Sequence, residues 1–184
     1  MNGIIFENKQ IRKSLKKMAQ SMTDTSVYLV GIQRGGSQVA NALQKRLKKE
    51  GCNVVRGNLD ISFYRDDLDR SPLHPVVHGS DLPFDINDRH IWLVDDVIFS
   101  GRTIRAALGE LFDYGRPASV SLAVLVDRGG RQLPIQPNVI GLSFSAPADH
   151  VVDLTMCKNA AGKAVWSISR RLSERKACSE EHLP

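Results

Sequence analysis

The sequence predicts an α/β fold, with a central, mainly parallel sheet flanked by helices. Three observations predict it. Apolar runs of strand length alternate with stretches whose apolar residues recur at helical spacing. The runs "VYLV" (27–30), "HIWLV" (90–94) and "VSLAVLV" (120–126) are almost continuously apolar, as expected of strands buried on both faces. The first two lead into polar, glycine-containing turns, "GIQRGG" and "DDVIFSGRT", and then into another helical pattern. Sheets of this kind bind ligands at the carboxyl ends of their strands.

The elements follow in order. Ile11, Leu15, Met18 and Met22 predict an amphipathic helix over about 8–22. The strand at 27–30 comes next, and then a helix marked by Val39, Leu43 and Leu47 and ended by Gly51. "NVVRGNLDISFY" (53–64) is strand material, rich in β-branched and aromatic residues. The polar stretch that follows holds Pro72, Pro75, Gly79 and Pro83, and loops of this length inside a domain are usually functional or disordered. His74 and His78 lie in it at a spacing that suits no metal site, so both are read as solvated. After the strand at 90–94, Ile104, Leu108, Leu111 and Phe112 predict a helix with Gly115 near its end. Residues 120–126 and 138–144 are further strands; "VVDLT" and "AVWSI" flank "KNAAGK" and can pair as a hairpin. The polar tail, about 171–184, is expected to fray. With no repeat, low-complexity segment or linker, residues 1–184 are expected to form a single domain.

Composition narrows the function classes. The 184 residues are 42% hydrophobic and 24% charged, which are globular values. No apolar run approaches the ~20 residues that span a bilayer, and the N-terminal stretch lacks the apolar core of a secretion signal. Three scattered cysteines, Cys52, Cys157 and Cys178, read as free thiols of a cytoplasmic protein. The net charge of +5 allows nucleic-acid or polyphosphate partners without requiring them.

The stretch "LVDDVIFSGRT" (93–103) carries the sharpest chemistry. Asp95 and Asp96 stand at the carboxyl end of a predicted strand, and Phe99-Ser100-Gly101-Arg102-Thr103 open onto a helix. Free backbone N–H groups, two hydroxyls and the helix dipole favour a phosphate there. Ionised carboxylates only accept hydrogen bonds, so they suit vicinal hydroxyls and would repel a phosphate placed beside them. A ribose 5-phosphate moiety meets both demands. A Walker A loop is excluded, because no G-x-x-x-x-G-K-[ST] occurs.

"IWLVDDVIFSGRT" resembles the phosphoribosyl diphosphate (PRPP) motif of type I phosphoribosyltransferases. Together with "GNLDISFYRDDL", "FDYGRPASVSLAVLVDRGGRQLPIQPNVIG" and the opening "IRKSLKKMA", it resembles more narrowly the bifunctional pyrimidine-operon regulators and uracil phosphoribosyltransferases of the PyrR type, over roughly residues 8–144. The resemblance implies the type I fold with a small hood and a mobile lid at about 64–88. It implies that PRPP or UMP is held by Gln33, Arg34, Gly35 and Gly36, by Tyr64 and Arg65, by Asp95, Asp96 and Val97, and by Phe99, Ser100, Gly101, Arg102 and Thr103. Arg65, Asp95 and Asp96 would be catalytic. Asp95 and Asp96 would also place Mg²⁺ through water, since that ion retains several waters beside one or two carboxylates. Asp127, Arg128 and Gly129 would bracket uracil. Phe99 stands where purine-using relatives carry an acidic residue, which favours a pyrimidine. Many relatives have their loop arginine one position later than Arg34.

The expected reaction is uracil + PRPP → UMP + pyrophosphate. The resemblance also implies UMP- or UTP-responsive regulation of pyrimidine genes through a leader mRNA, and a homodimer or higher homo-oligomer. Arg12, Lys13, Lys16 and Lys17 make one basic face of the first helix, which Arg131 could extend towards RNA. That face is also what an ordinary solvated helix presents. Gln136 and Leu142 stand where RNA-binding relatives are often basic, and Gly130 replaces a common histidine. Two alternatives remain open: an RNA-binding, nucleotide-sensing attenuator with vestigial activity, and a purine phosphoribosyltransferase.

Overall fold

In the computed structural model, residues 3–22, 24–61 and 79–173 are described. Five strands form a wholly parallel sheet in the order β3-β2-β4-β5-β6: β2 (Ser26–Ile32), β3 (Asn53–Leu59), β4 (His90–Ile98), β5 (Ser119–Asp127) and β6 (Val139–Ser143). A second, antiparallel sheet has the order β1-β8-β7: β1 (Gly3–Phe6), β7 (His150–Lys158) and β8 (Ala164–Leu172). The hairpin expected around "KNAAGK" is β7–β8. Strand β1 was not expected. It has only four residues, and its partner lies at the far end of the chain.

The helices form where the apolar spacing places them. α1 (Asn8–Gln20) buries Ile11, Leu15 and Met18, and the Gln10 side chain accepts the Glu7 N–H at 3.0 Å, closing its first turn. Met22 lies just past the helix and is still buried. α2 (Gly35–Lys49) buries Val39, Leu43 and Leu47. α3 (Arg102–Asp113) buries Ile104, Ala107 and Leu111, whereas Phe112 is 53% exposed. One step of 100° past Leu111 turns it away from the sheet.

Strand alternation divides the interior into two layers. Leu29, Trp92, Val94, Ala123 and Leu125 face α1, α2 and the hood sheet, whose Val152, Trp166 and Ile168 join the same cluster. Val30, Ile91, Leu93, Leu122 and Val124 face α3 with Ile104, Ala107 and Leu111. Both faces of the parallel sheet are therefore covered, which explains the continuous apolar runs.

Two boundaries differ from expectation. β4 runs on to Ile98, so Asp95, Asp96 and Val97 belong to the last residues of the strand itself, which pairs with β5. Residues 79–88, expected to be part of a mobile lid, are packed. Asn58 and Asp81 form an antiparallel bridge, Ser80 Oγ accepts the Asp60 N–H at 2.9 Å and donates to Glu110 at 2.7 Å, and Ile86 is buried. The remainder of that stretch, to residue 78, and the tail from 174 onward lie outside the described residues.

Candidate active site

Among the described residues, the groups predicted to hold PRPP and uracil lie at the carboxyl ends of β2, β4 and β5. After β2 the chain turns through Gln33 and Arg34, joined by a cis peptide bond, into α2. The Gln33 N–H donates to the Leu59 carbonyl at 2.9 Å, anchoring the turn on β3. Gly35 and Gly36 then pass directly against β4. A Cβ built on Gly35 would lie 2.0 Å from Asp96 Oδ2, and one on Gly36 would lie 2.4 Å from the Val94 carbonyl oxygen and 3.2 Å from Asp95 Oδ1. At Gly36 the obstacle is the backbone of the central strand, so a side chain is excluded; at Gly35 it is the Asp96 carboxylate, which would have to move to admit one. The expected pyrophosphate loop and the carboxylate pair are thus two walls of one place.

Asp95 is buried, 4% exposed, and its Oδ1 accepts the N–H of Asp96 at 2.9 Å. Asp96 is half-buried and stands beside Gly35. Val97 pairs with Val126 inside the sheet, so its side-chain position is set by the strand register.

The turn after β4 caps α3. Gly101 has φ 92°, a left-handed conformation that suits glycine, and its carbonyl accepts the Arg105 N–H at 3.0 Å. Ser100 Oγ approaches the Arg102 N–H at 3.4 Å. The Ser100 carbonyl accepts the N–H groups of both Gln132 and Leu133 at 3.0 Å, and the Arg102 side chain donates to Gln132 Oε1 at 3.2 Å. Leu133 and Ile135 lie over Gly101. The "LPI" segment therefore backs the turn 100–103, a role that sequence reading missed although the segment itself was visible as a motif. Thr103 is exposed in the first turn of α3, where the helix dipole favours an anion.

The loop after β5 is built differently. Asp127 accepts the Gly129 N–H at 2.9 Å through Oδ1 and pairs with Arg131 at 2.7 Å through Oδ2. Arg128 is 5% exposed; its guanidinium donates to the carbonyls of His150 at 2.6 Å and Pro147 at 2.9 Å, and lies 4.0 Å from the Phe99 ring centre. Burial holds its pKa below the ordinary arginine value. Phe99 is closed on a second side by Gly130, where a Cβ would come within 2.4 Å of the ring. The side chains of Asp127 and Arg128, expected to bracket a base, are committed to holding the loop. What the loop offers a small ligand is its backbone, with open space at Gly129.

Arg131 requires a correction. It does not extend a basic surface: its guanidinium reaches Phe99 O at 2.9 Å, Ile135 O at 3.0 Å and Asp127. These bonds tie the loop after β5 to the "LPI" segment. Arg12, Lys13, Lys16 and Lys17 are all exposed on α1, as their spacing implies, and Arg46 of α2 donates to the Arg12 carbonyl at 3.0 Å. Tyr64 and Arg65 lie outside the described residues. Among the described residues, no group of three or more His, Cys, Asp or Glu could hold a metal, Cys52 and Cys157 are free thiols, and no helix is long and apolar enough to cross a membrane.

Comparison with known proteins agrees with this geometry. Residues 2–152 match the phosphoribosyl transferase domain family. The bifunctional protein PyrR of Pseudomonas entomophila is 55% identical over 131 residues, 71% of this chain and 74% of the relative. That of Pseudomonas putida is 48% identical over 147 residues, 80% of this chain and 84% of the relative. Among solved structures, the hypoxanthine phosphoribosyltransferase of Trypanosoma cruzi superposes with a TM-score of 0.61 at 19% identity, covering 77% of this chain and 81% of that one. A hypoxanthine-guanine phosphoribosyltransferase of Bacillus anthracis gives 0.62 at 16% identity, covering 90% and 96%. At such identity the solved structures speak for the fold alone, which is the type I phosphoribosyltransferase fold. The chain belongs to the phosphoribosyl transferase domain family, among the bifunctional PyrR proteins.

Proposed function

We propose that the chain transfers the 5-phosphoribosyl group of PRPP to uracil, forming UMP and pyrophosphate. The observation that carries this reading is the close packing of Gly35 and Gly36 on Asp96 and Asp95. It sets a loop suited to pyrophosphate beside carboxylates suited to ribose hydroxyls, with the phosphate turn 100–103 following the same strand. One PRPP molecule has groups for all three. In the reaction the C1–O bond to pyrophosphate breaks, the bond from uracil N1 to C1 forms, and N1 loses its proton. The protein aligns N1 with C1 and excludes water, which suits an oxocarbenium-like sugar.

Asp95 and Asp96 accept the ribose hydroxyls in this reading. Their oxygen-only donor set at the ligand edge also fits Mg²⁺ held through water, with substrate oxygens completing its shell. When bound, that ion supplies positive charge to the departing pyrophosphate. Arg65 would add to it and Tyr64 would shield the site, on the strength of the sequence resemblance. The backbone around Gly129 would read the uracil edge. The shared core of the hood and main sheet supports a single domain over 1–184, and family likeness supports a cytoplasmic homodimer or higher assembly. The test is turnover of radiolabelled uracil with PRPP and Mg²⁺. Formation of labelled UMP is expected; its absence, with PRPP intact, would remove the reading.

Base choice follows from Phe99. Its ring is closed in by Arg128 and Gly130, and it carries no group to exchange a proton with purine N7. Turnover should favour uracil strongly over hypoxanthine and guanine, and efficient purine use would reverse that assignment.

A second activity has its own observation. Four exposed cations on α1, continued by Arg46, suit a phosphate backbone. We propose UMP- or UTP-responsive binding of a pyrimidine-operon leader mRNA on this face. Filter binding with that RNA, with and without UMP, should show nucleotide-dependent, salt-sensitive retention. Retention indifferent to both sequence and nucleotide would refute it.

A further inference from the structure

Behind the loop 33–36 lies a half-buried cation that the reaction scheme has not used. Arg56 is in β3. Its Nη1 donates to Asn41 Oδ1 at 2.5 Å, and its Nη2 donates to Ser37 O at 2.9 Å, Ser37 Oγ at 3.1 Å and Asn58 Oδ1 at 2.7 Å. The Ser37 hydroxyl also donates to Asn58 Oδ1. Ser37 is the residue after Gly36. It is pressed from its other side by Gly31, where a Cβ would meet Ser37 Cα at 2.8 Å. The first turn of α2 is therefore gripped between β2 and a side chain of β3. Asn58 is itself fixed by two backbone bonds to Asp81, at 2.7 and 2.8 Å.

The acceptors around Arg56 are all neutral oxygens, and its Nε is buried with no partner. Burial lowers its pKa from the ordinary value. A guanidinium placed so could be a mere structural staple, for which apolar packing would serve as well or better. Two features speak for more. The fork holds a turn that packs against the carboxylate pair, and its charge is left without a carboxylate among these bonds, at a half-buried position where fields reach further than in bulk water.

We propose that Arg56 is a positioning residue for the pyrophosphate end of PRPP, fixing the backbone of residues 35–37 through Ser37 and Asn58 and placing a positive charge beneath the anion. The inference rests on the proposed transfer reaction. It assigns to PRPP, and not to uracil, the cost of losing Arg56.

The variants are Arg56→Met, Arg56→Lys and Ser37→Ala, and the readout is the KM for each substrate at saturating partner. Arg56→Met should raise the PRPP KM by about 10- to 30-fold, as expected for loss of a charge-assisted fork, with the uracil KM within about 2-fold. Arg56→Lys keeps charge without the fork and should fall between Arg56→Met and wild type. Ser37→Ala, a small change that the fold tolerates, should raise the PRPP KM by about 3-fold. An unchanged PRPP KM, or equal rises for both substrates, would overturn the inference. Calorimetric titration with PRPP distinguishes the two levels of failure. A wild type that binds no PRPP removes the transfer reading and this inference together. A wild type that binds PRPP, with an Arg56→Met protein that binds it as tightly, removes the inference alone.

Discussion

The turns after β2 and β4 and the loop after β5 meet the same sheet edge, yet they are made by opposite means. In the turns after β2 and β4, proposed to hold the sugar and its phosphates, backbone is brought close by omission: Gly35 and Gly36 leave no side chain between the loop and β4, and Gly101 turns the chain into α3. The charged groups there, Asp95 and Asp96, stand against the glycines, Asp95 buried and Asp96 half-buried. In the loop after β5, proposed to meet the base, charged groups are drawn inward. Arg128 and Arg131 grip the carbonyls of Pro147, His150, Phe99 and Ile135, and Asp127 closes the turn. A large polyanion with vicinal hydroxyls calls for side-chain carboxylates and many amides. A small neutral ring needs a rigid wall and a few backbone groups, and arginines can build that wall without touching the ring.

The contrast orders the expected effects. Asp95→Asn with Asp96→Asn should cut kcat/KM for PRPP by about 10³-fold or more, since groups aimed at the reacting sugar are lost. Steady-state assays with labelled uracil check this, and near-normal constants would erase the distinction between the two sides. Gly35→Ala is next. Its Cβ would stand 2.0 Å from Asp96 Oδ2, so loop or carboxylate must move, at a cost of about 10²-fold in kcat/KM.

Arg128→Met tests the other side. It leaves the Pro147 and His150 carbonyls without their donor, so a stability loss of about 2 kcal/mol is expected. In a chain of this size that lowers Tm by about 4–8 °C. The uracil KM should rise more than the PRPP KM, because Phe99 loses the guanidinium on its face. Equal rises would show the wall to be shared by both substrates.

The smallest effect on catalysis belongs to Lys16→Gln with Lys17→Gln, both exposed on α1. Activity should stay within about 2-fold, while the salt slope of RNA binding should fall by about 0.7 for each phosphate no longer neutralised. Arg131→Met should leave that slope unchanged, because its guanidinium is turned into the loop. A fall in slope with Arg131→Met would return that residue to the RNA surface.

The same contrast explains what the sequence disclosed. The parallel sheet was legible because strands buried on both faces must be apolar throughout, as in "HIWLV" and "VSLAVLV". The placement of the 95–103 segment was legible because its residue types recur at fixed spacing: two carboxylates at a strand end, then a small turn before a helix. The bonding inside the loop after β5 was not, since the partners of Arg128 and Arg131 are mostly backbone carbonyls, which no residue type marks. The spacing therefore gave no sign that Arg128 and Arg131 bond within and beside their own loop. Arg56 escaped notice for a related reason: an arginine within "NVVRGNL" gives no sign that its fork reaches back to Ser37. Strand β1 and the packed stretch 79–88 depend on pairing with distant segments, which local pattern cannot supply.

The most direct test of the central claim is a crystal structure with UMP bound. The ribose hydroxyls should lie within hydrogen-bond reach of the Asp95 and Asp96 carboxylates, and the 5′-phosphate on the N–H groups of residues 100–103. A nucleotide seated with its phosphate against the carboxylate pair, or held away from both, would contradict the account.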